Sequence, residues 1–236
     1  MSKYIKLLDL ADELDAKGLE KEAGVLEQFV EEVGLKKEAK KGYHKCGLKE
    51  ETVAQHEELM ESYQKSMTHY EKEYKKLMRS NNEKDTPNMG PLRDICSNYS
   101  HNCNAVRFHN MYFDDVINCR PYGLEKDSAM KALLKELFEG GPDKFESQIK
   151  RLSKVSRNGW VLLNYCTMTK ELYLDVIDLH DQHVIACSLP VLALDMWEHA
   201  YYADFGLDKE AYVDWFLSRV DFRNVRKRIK NFQRIK

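Results

Sequence analysis

Residues 190–202, PVLALDMWEHAYY, constrain this chain more than any other stretch: an apolar run ends on a carboxylate, and an imidazole follows four residues later. Val191, Leu192, Ala193 and Leu194 are expected to form a short strand buried on both faces, which delivers Asp195 to the strand's end and into the interior. A buried carboxylate needs a cation. With His199 nearby a metal is indicated, since Asp oxygen and imidazole nitrogen are common ligands of first-row transition ions. The plainer alternative is an Asp N-cap on an ordinary helix, with His199 a core histidine. These two residues alone do not choose between the two readings.

The rest of the composition narrows the class. At 236 residues, 43% hydrophobic and 32% charged, the chain suits one large globular domain or two small ones. No segment reads as membrane-spanning, and the start, MSKYIKLLDLADELD, lacks the uninterrupted apolar region of a signal peptide. A formal net charge of -2 gives no electrostatic case for nucleic-acid binding. The basic tail over residues 219–236 reads as the solvated face of a last helix. Six cysteines, at 46, 96, 103, 119, 166 and 187, include no C-x-x-C, which argues for a reducing compartment and against a zinc knuckle or disulfide framework. A cytoplasmic protein is expected.

Residues 1–34 carry two short amphipathic patterns, one with Ile5, Leu8, Ala11 and Leu14, the other with Leu26, Phe29, Val30 and Val33. With Gly18 and Gly34 at helix ends, they predict an accessory αα-hairpin. A polar, Lys-rich linker follows over 35–47. Over 50–79 the apolar positions Val53, Met60, Tyr63, Met67, Tyr70, Tyr74 and Leu77 are spaced by three and four once His56 joins them, giving a long helix with a narrow seam. After the turn-rich SNNEKDTPNMGP, a second helix has Leu92, Ile95, Tyr99, Cys103, Val106, Phe113 and Ile117 inward, with His109 on or beside that face. So short a connection predicts an antiparallel hairpin. At ~1.5 Å rise per residue, His56 and His109 then differ in height by only about 7 Å.

Beyond residue 123 the pattern changes. Helices are expected over 128–138 and from 143 to about 155, and again over 209–220 and 222–236. Residues 160–167 and 171–177 read as a β-hairpin, which with the strand ending at Asp195 makes a three-stranded sheet. The expected architecture is α+β: a helical-hairpin domain over 48–122, then an α/β domain over 123–236. Its four inward candidates are His56, His109, Asp195 and His199. Three neutral imidazoles and one carboxylate leave a net positive site around a di- or trivalent ion, which suits iron or manganese.

In several separated places the chain resembles the iron/manganese superoxide dismutases. Residues 48–56, LKEETVAQH, resemble the family's first-ligand stretch, and residues 108–113, FHNMYF, its second. Residues 158–160, NGW, resemble the glycine-tryptophan start of a strand, and residues 195–202, DMWEHAYY, are similar to the family signature almost letter for letter. The resemblance covers residues 47–233 and leaves out the N-terminal hairpin. It implies that His56, His109, Asp195 and His199 are the metal ligands, with water or hydroxide as a fifth. In the family that solvent is held by a Gln on the second helix, here Ala105, or by a Gln or His before the last strand. His180 is the residue implied here, with Gln182 in reserve. The family's gateway tyrosine position is Gln64, but Tyr63, seven residues after His56, returns to nearly the same helix face and is taken as the gateway. Met60 replaces a family histidine that bridges to the partner subunit's Tyr202, so that bridge should be missing. Trp197, Trp160 and Phe113 would wall the site, and Glu198 would reach across a two-fold axis to the partner's ligand histidine in a homodimer or higher homo-oligomer.

The implied activity is disproportionation of superoxide to dioxygen and hydrogen peroxide, an antioxidant oxidoreductase reaction at one iron or manganese ion per subunit. The choice between the two metals stays open. One rival is a redox-inactive scaffold of the same fold that binds a partner through the N-terminal hairpin; retention of all four ligands counts against it. A ferritin-like di-iron protein is set aside, because no histidine here has a Glu three residues before it.

Overall fold

The computed structural model describes residue 14 and residues 44–79, 90–182 and 184–234. The hairpin expected over 1–34 (Leu14 apart), most of the linker expected over 35–47 and the connection over 80–89 therefore lie outside the described residues. The chain divides into two compact units, Met1–Glu50 and Glu51–Lys236.

Helix α1 runs over Glu50–Arg79 and buries only Thr52, Val53 and His56. Its outer turns carry exposed i,i+4 pairs such as Lys65 with Glu61 and Lys75 with Glu71, each of which supports a solvated helix by a few tenths of a kcal/mol. Helix α2, Gly90–Tyr112, continues into a π-helical turn over Phe113–Ile117. The two helices are antiparallel, as their ring pairs show: His56 meets His109 at 5.1 Å, Tyr63 meets His101 at 6.3 Å, and Tyr74 stacks on Tyr99 at 6.1 Å. Partner numbers fall along α2 as they rise along α1.

Helix α3 spans Ser128–Leu137, capped by Asp127, whose carboxylate accepts the Met130 N–H at 2.8 Å. Helix α4 spans Gly141–Val155, two residues longer at its start than the sequence pattern predicts. Pro142 lies in its first turn, where a missing N–H breaks no helical hydrogen bond. Asp208 and Asp221 cap helices α6 (Lys209–Arg219) and α7 (Phe222–Gln233) by accepting the N–H of Ala211 and Arg223. Helix α5, Glu198–Phe205, starts from Trp197 with no side-chain cap. Sequence reasoning held a helix here only as the plainer alternative.

The sheet has the expected three antiparallel strands, β1 (Trp160–Cys166), β2 (Leu172–Ile177) and β3 (Ser188–Asp195), in the order β2-β1-β3. Central β1 is buried throughout. A register shift at Leu163/Asn164 sets Pro190 opposite Asn164, and Pro190 is tolerated because β3 is an edge strand. Gly159 begins β1 with φ 102°, and a Cβ there would lie 2.0 Å from the Ile177 carbonyl oxygen, so only glycine fits. That close approach sets Trp160 opposite both Ile177 and Asp195.

The basic tail is not simply a solvated face. Arg223, Arg226 and Arg228 turn to the Asp221, Asp127 and Asp115 carboxylates, and Arg228 makes two bonds to fully buried Asp115 at 2.6 and 2.9 Å. A third bond runs from Arg228 to the Val191 carbonyl at 3.0 Å, tying α7 to the π-helical turn and to β3. Arginines recur there because a buried carboxylate needs a geometrically matched cation. Charge counting along the sequence cannot show which side of a helix has such a partner.

Candidate metal centre

Asp195 ends β3 at zero exposure. Its Oδ1 accepts the Trp197 N–H at 2.9 Å, which orients the carboxylate and leaves Oδ2 facing three imidazoles. His199 Nε2 lies 3.2 Å from Oδ2, His56 Nε2 3.3 Å and His109 Nε2 3.7 Å. One donor atom from each of the four residues lies within 4.8 Å of every other. His56 comes from the first turns of α1, His109 from the last turn of α2, and His199 from the first turn of α5. All but His199 are buried. Tyr212, buried on α6, donates its hydroxyl to the Asp195 carbonyl at 2.7 Å and so holds the strand end from behind.

The tautomers favour a cation at this point. His109 Nδ1 sits 2.7 Å from the Ala105 carbonyl, which can only accept, so Nδ1 carries the proton. In the neutral ring Nε2 is then a bare acceptor. It is buried without a partner and faces an acceptor oxygen. Burial drives His109 down to about 4, against the raising pull of Asp195, and lowers His56 as well. Burial also pushes the Asp195 carboxyl up, but the attraction of His199 and His56 outweighs it and keeps the group ionised. Buried lone pairs of nitrogen and oxygen converging on one point fit a transition-metal ion of the iron or manganese type.

A further layer lies around this cluster. Fully buried His180 accepts the Trp160 indole N–H on Nδ1 at 2.9 Å, so its proton sits on Nε2, a buried donor without a protein partner. Burial, with His101 and His109 alongside, drives His180 down to about 3. Tyr63 lies edge-on to His180 at 5.1 Å and 5.4 Å from the His109 ring, whereas Gln64 is exposed. Gln182 is exposed in the loop beyond His180. Trp160 is edge-on to His109 at 5.0 Å, Phe113 to His56 at 5.0 Å, and Trp197 stacks on His199 at 6.3 Å. Glu198 is exposed on the single chain, and so is Tyr202.

Sequence reasoning missed His101 and Asp181. Half-exposed His101 lies against His180 at 4.7 Å, and its Nδ1 is 3.1 Å from Asp181 Oδ1. Asn104 donates to the His180 carbonyl at 2.9 Å and pins the same loop. The available signal was helical spacing: His101, Asn104 and His109 share one side of α2.

Residues 126–228 match the C-terminal domain of the iron/manganese superoxide dismutases. The chain is 32% identical over 122 residues to the iron superoxide dismutase of Cupriavidus metallidurans, covering 51% of this chain and 59% of that protein. It is 43% identical over 65 residues to manganese superoxide dismutase 2 of Halobacterium salinarum, with shares of 28% and 32%. With the manganese superoxide dismutase of Haloarcula marismortui it shares 31% identity over 143 residues, 59% and 66% of the two chains. The matched stretches thus span under two thirds of these relatives' own lengths. Residues 126–228, which include Asp195 and His199, therefore carry the C-terminal domain of the iron/manganese superoxide dismutases.

Proposed function

We propose that the protein is a superoxide dismutase in which His56, His109, Asp195 and His199 hold one iron or manganese ion per subunit. The observation that carries this reading is the buried, partnerless Nε2 of His109 facing Asp195 Oδ2 at 3.7 Å, an arrangement of two acceptors that a bound cation satisfies. When bound, the ion would supply one-electron redox chemistry, taking an electron from one superoxide and passing one to the next. The protein residues bind, orient and deliver protons. Asp195 and the three imidazoles set the ion's position. Trp160, Trp197 and Phe113 exclude water and lower the local dielectric, which strengthens attraction of the site for an anion. His180 carries a buried Nε2–H with its ring 5.8 Å from that of His109, and forming hydrogen peroxide needs two protons. His101, half-exposed and paired with Asp181, is the next imidazole outward and the route for those protons from bulk water. Tyr63 stands at the approach beside both.

Metal analysis of protein from cells supplied with iron or manganese, with superoxide consumption assayed on each form, tests the proposal. Stoichiometric metal together with activity is expected. His56→Ala, His109→Ala, Asp195→Ala and His199→Ala should each lose the metal, and full retention by any one removes it from the set. A protein that takes up metal but consumes no superoxide would favour the redox-inactive scaffold. A homodimer with Glu198 at the two-fold axis is part of the same proposal, supported by the exposure of Glu198 and Tyr202 on the single chain. A cytoplasmic location rests on cysteine usage. Among the described residues no helix is long and apolar enough to cross a membrane.

A further inference from the structure

At the end of β1 remote from Asp195, about 20 Å away at ~3.3 Å per strand residue, two cysteines meet. Cys166 closes β1, and Cys187 immediately precedes β3. Because Cys166 is paired in register with Ser188, the neighbouring Cys187 brings its sulfur to 3.2 Å from Cys166 Sγ. A disulfide needs ~2.05 Å, so closure requires a movement of about 1.1 Å. Both side chains line an open cleft of about 780 Å³ between the β1–β2 turn and the end of α3. Cys166 is only 5% exposed, so oxidants reach it through the cleft.

We propose that Cys166 and Cys187 form a dithiol site for small neutral hydroperoxides, with Cys166 as the attacking thiol and Cys187 as the resolving one. The turn after β1 is shaped for this. Lys170 adopts φ 63°, and the tight turn aims the Thr169 N–H at Cys166 Sγ at 3.4 Å. The Thr169 hydroxyl and N–H and the Cys187 thiol hold Cys166 down to about 7, so a large fraction is thiolate at neutral pH. Glu136, Glu139 and Glu171 line the same cleft. They repel anionic thiols and superoxide, while an uncharged peroxide is not opposed.

The chemistry balances without a further reagent. The Cys166 thiolate attacks one peroxide oxygen, the O–O bond breaks, and the departing hydroxide takes a proton to leave as water. Cys166 is then a sulfenic acid. The Cys187 sulfur attacks Cys166 Sγ, the S–O bond breaks, the S–S bond forms and a second water leaves with the Cys187 proton. Two thiols lose two electrons; hydrogen peroxide becomes two waters, and an organic hydroperoxide becomes its alcohol and one water, the alkoxide taking the place of the departing hydroxide. The inference goes beyond the dismutase reading, because any hydroperoxide serves, although peroxide released by superoxide disproportionation would be a local source.

Exposed Cys96 supplies an internal reference. The full-length chain is treated with one equivalent of hydrogen peroxide at pH 7, before and after metal removal, then alkylated and mapped by peptide mass spectrometry. A Cys166–Cys187 disulfide is expected in both samples, forming ahead of Cys96 oxidation. A thiol near 7 reacts about three-fold faster than an ordinary one near ~8.5, once its lower nucleophilicity is counted. Cys187→Ser should stop at a dimedone-trappable sulfenic acid on Cys166, and Cys166→Ser should leave Cys187 reduced. The proposal is overturned if both cysteines stay alkylatable in the wild type while Cys96 oxidises, or if oxidation occurs only with metal bound. A sulfenic acid appearing on Cys187 instead would overturn the assignment of the attacking sulfur.

Discussion

Trp160→Phe separates a wall residue from a positioning residue. Trp160 and His180 both have zero exposure, and the indole N–H meets His180 Nδ1 at 2.9 Å. With Nε2 protonated, that contact is a hydrogen bond; with Nδ1 protonated, two N–H groups would face each other. A hydrogen bond lost in a buried site, with its donor left unpaired, costs about 1–3 kcal/mol, so the indole biases the ring toward Nε2–H by roughly five- to a hundred-fold. Phenylalanine keeps the apolar wall and removes the bias. Long-range 1H–15N correlation on the metal-free protein reads the two ring nitrogens directly. The wild type should show Nε2 protonated and Nδ1 bare, and the variant a mixture. Unfolding of the variant should be easier by about 1–3 kcal/mol, a Tm drop of about 2–12 °C for a unit of this size, and activity should fall by about ten-fold or more. A wild-type spectrum with Nδ1 protonated, or an unchanged tautomer in the variant, would refute the reasoning.

Burial holds His109 near 4 and His180 near 3, both below the ~6.5 of an unfolded histidine. As pH falls through 6.5 the unfolded chain takes up protons first, so metal-free protein should lose about 1.4 kcal/mol per pH unit for each histidine, down to about pH 3–4; a urea midpoint that rises on acidification contradicts this. Arg228→Ala leaves the Asp115 carboxylate buried without its cation and should cost about 3–5 kcal/mol in urea unfolding, with Arg228→Lys recovering only part, and a loss under about 0.5 kcal/mol would show that Asp115 is neutral. Deleting residues 1–46 should leave a folded protein that binds metal, since all four proposed ligands lie in the unit Glu51–Lys236; circular dichroism and metal analysis of the truncated chain check it. Glu198→Ala should yield monomers by light scattering with loosely held metal, whereas a stable, fully active dimer would place Glu198 away from the interface.

Periodicity made most of the elements legible before any tertiary contact was considered. The three-and-four spacing from Val53 to Leu77 marks α1 over the Glu50–Arg79 that forms, because one apolar stripe suffices to specify a helix and its face. The run Val191–Leu194 marks a buried strand, and its burial is what makes Asp195 and His199 worth singling out. The meeting of His56 and His109 also follows from local rules, since a short connection forces antiparallel helices and the heights then agree. Resemblance to a family pointed to His180, with Gln182 in reserve, and to the position of Gln64, and helical spacing then moved that last role to Tyr63.

Tertiary structure decided what depends on register and on which elements face each other. Trp160 reaches His180 across 20 residues because Gly159 permits a backbone approach that a Cβ would block. Asp115 meets Arg228 across 113 residues, which makes part of an outwardly basic tail an inward anchor. Cys166 and Cys187 look scattered in the sequence and touch only because β1 and β3 pair with Cys166 opposite Ser188. Local spacing governs energies within a few residues along the chain, so the sequence by itself determined the elements and the faces that carry the proposed ligands. Hydrogen bonds and sulfur contacts act over about 3 Å between segments far apart in the chain, and only the packed fold sets those distances.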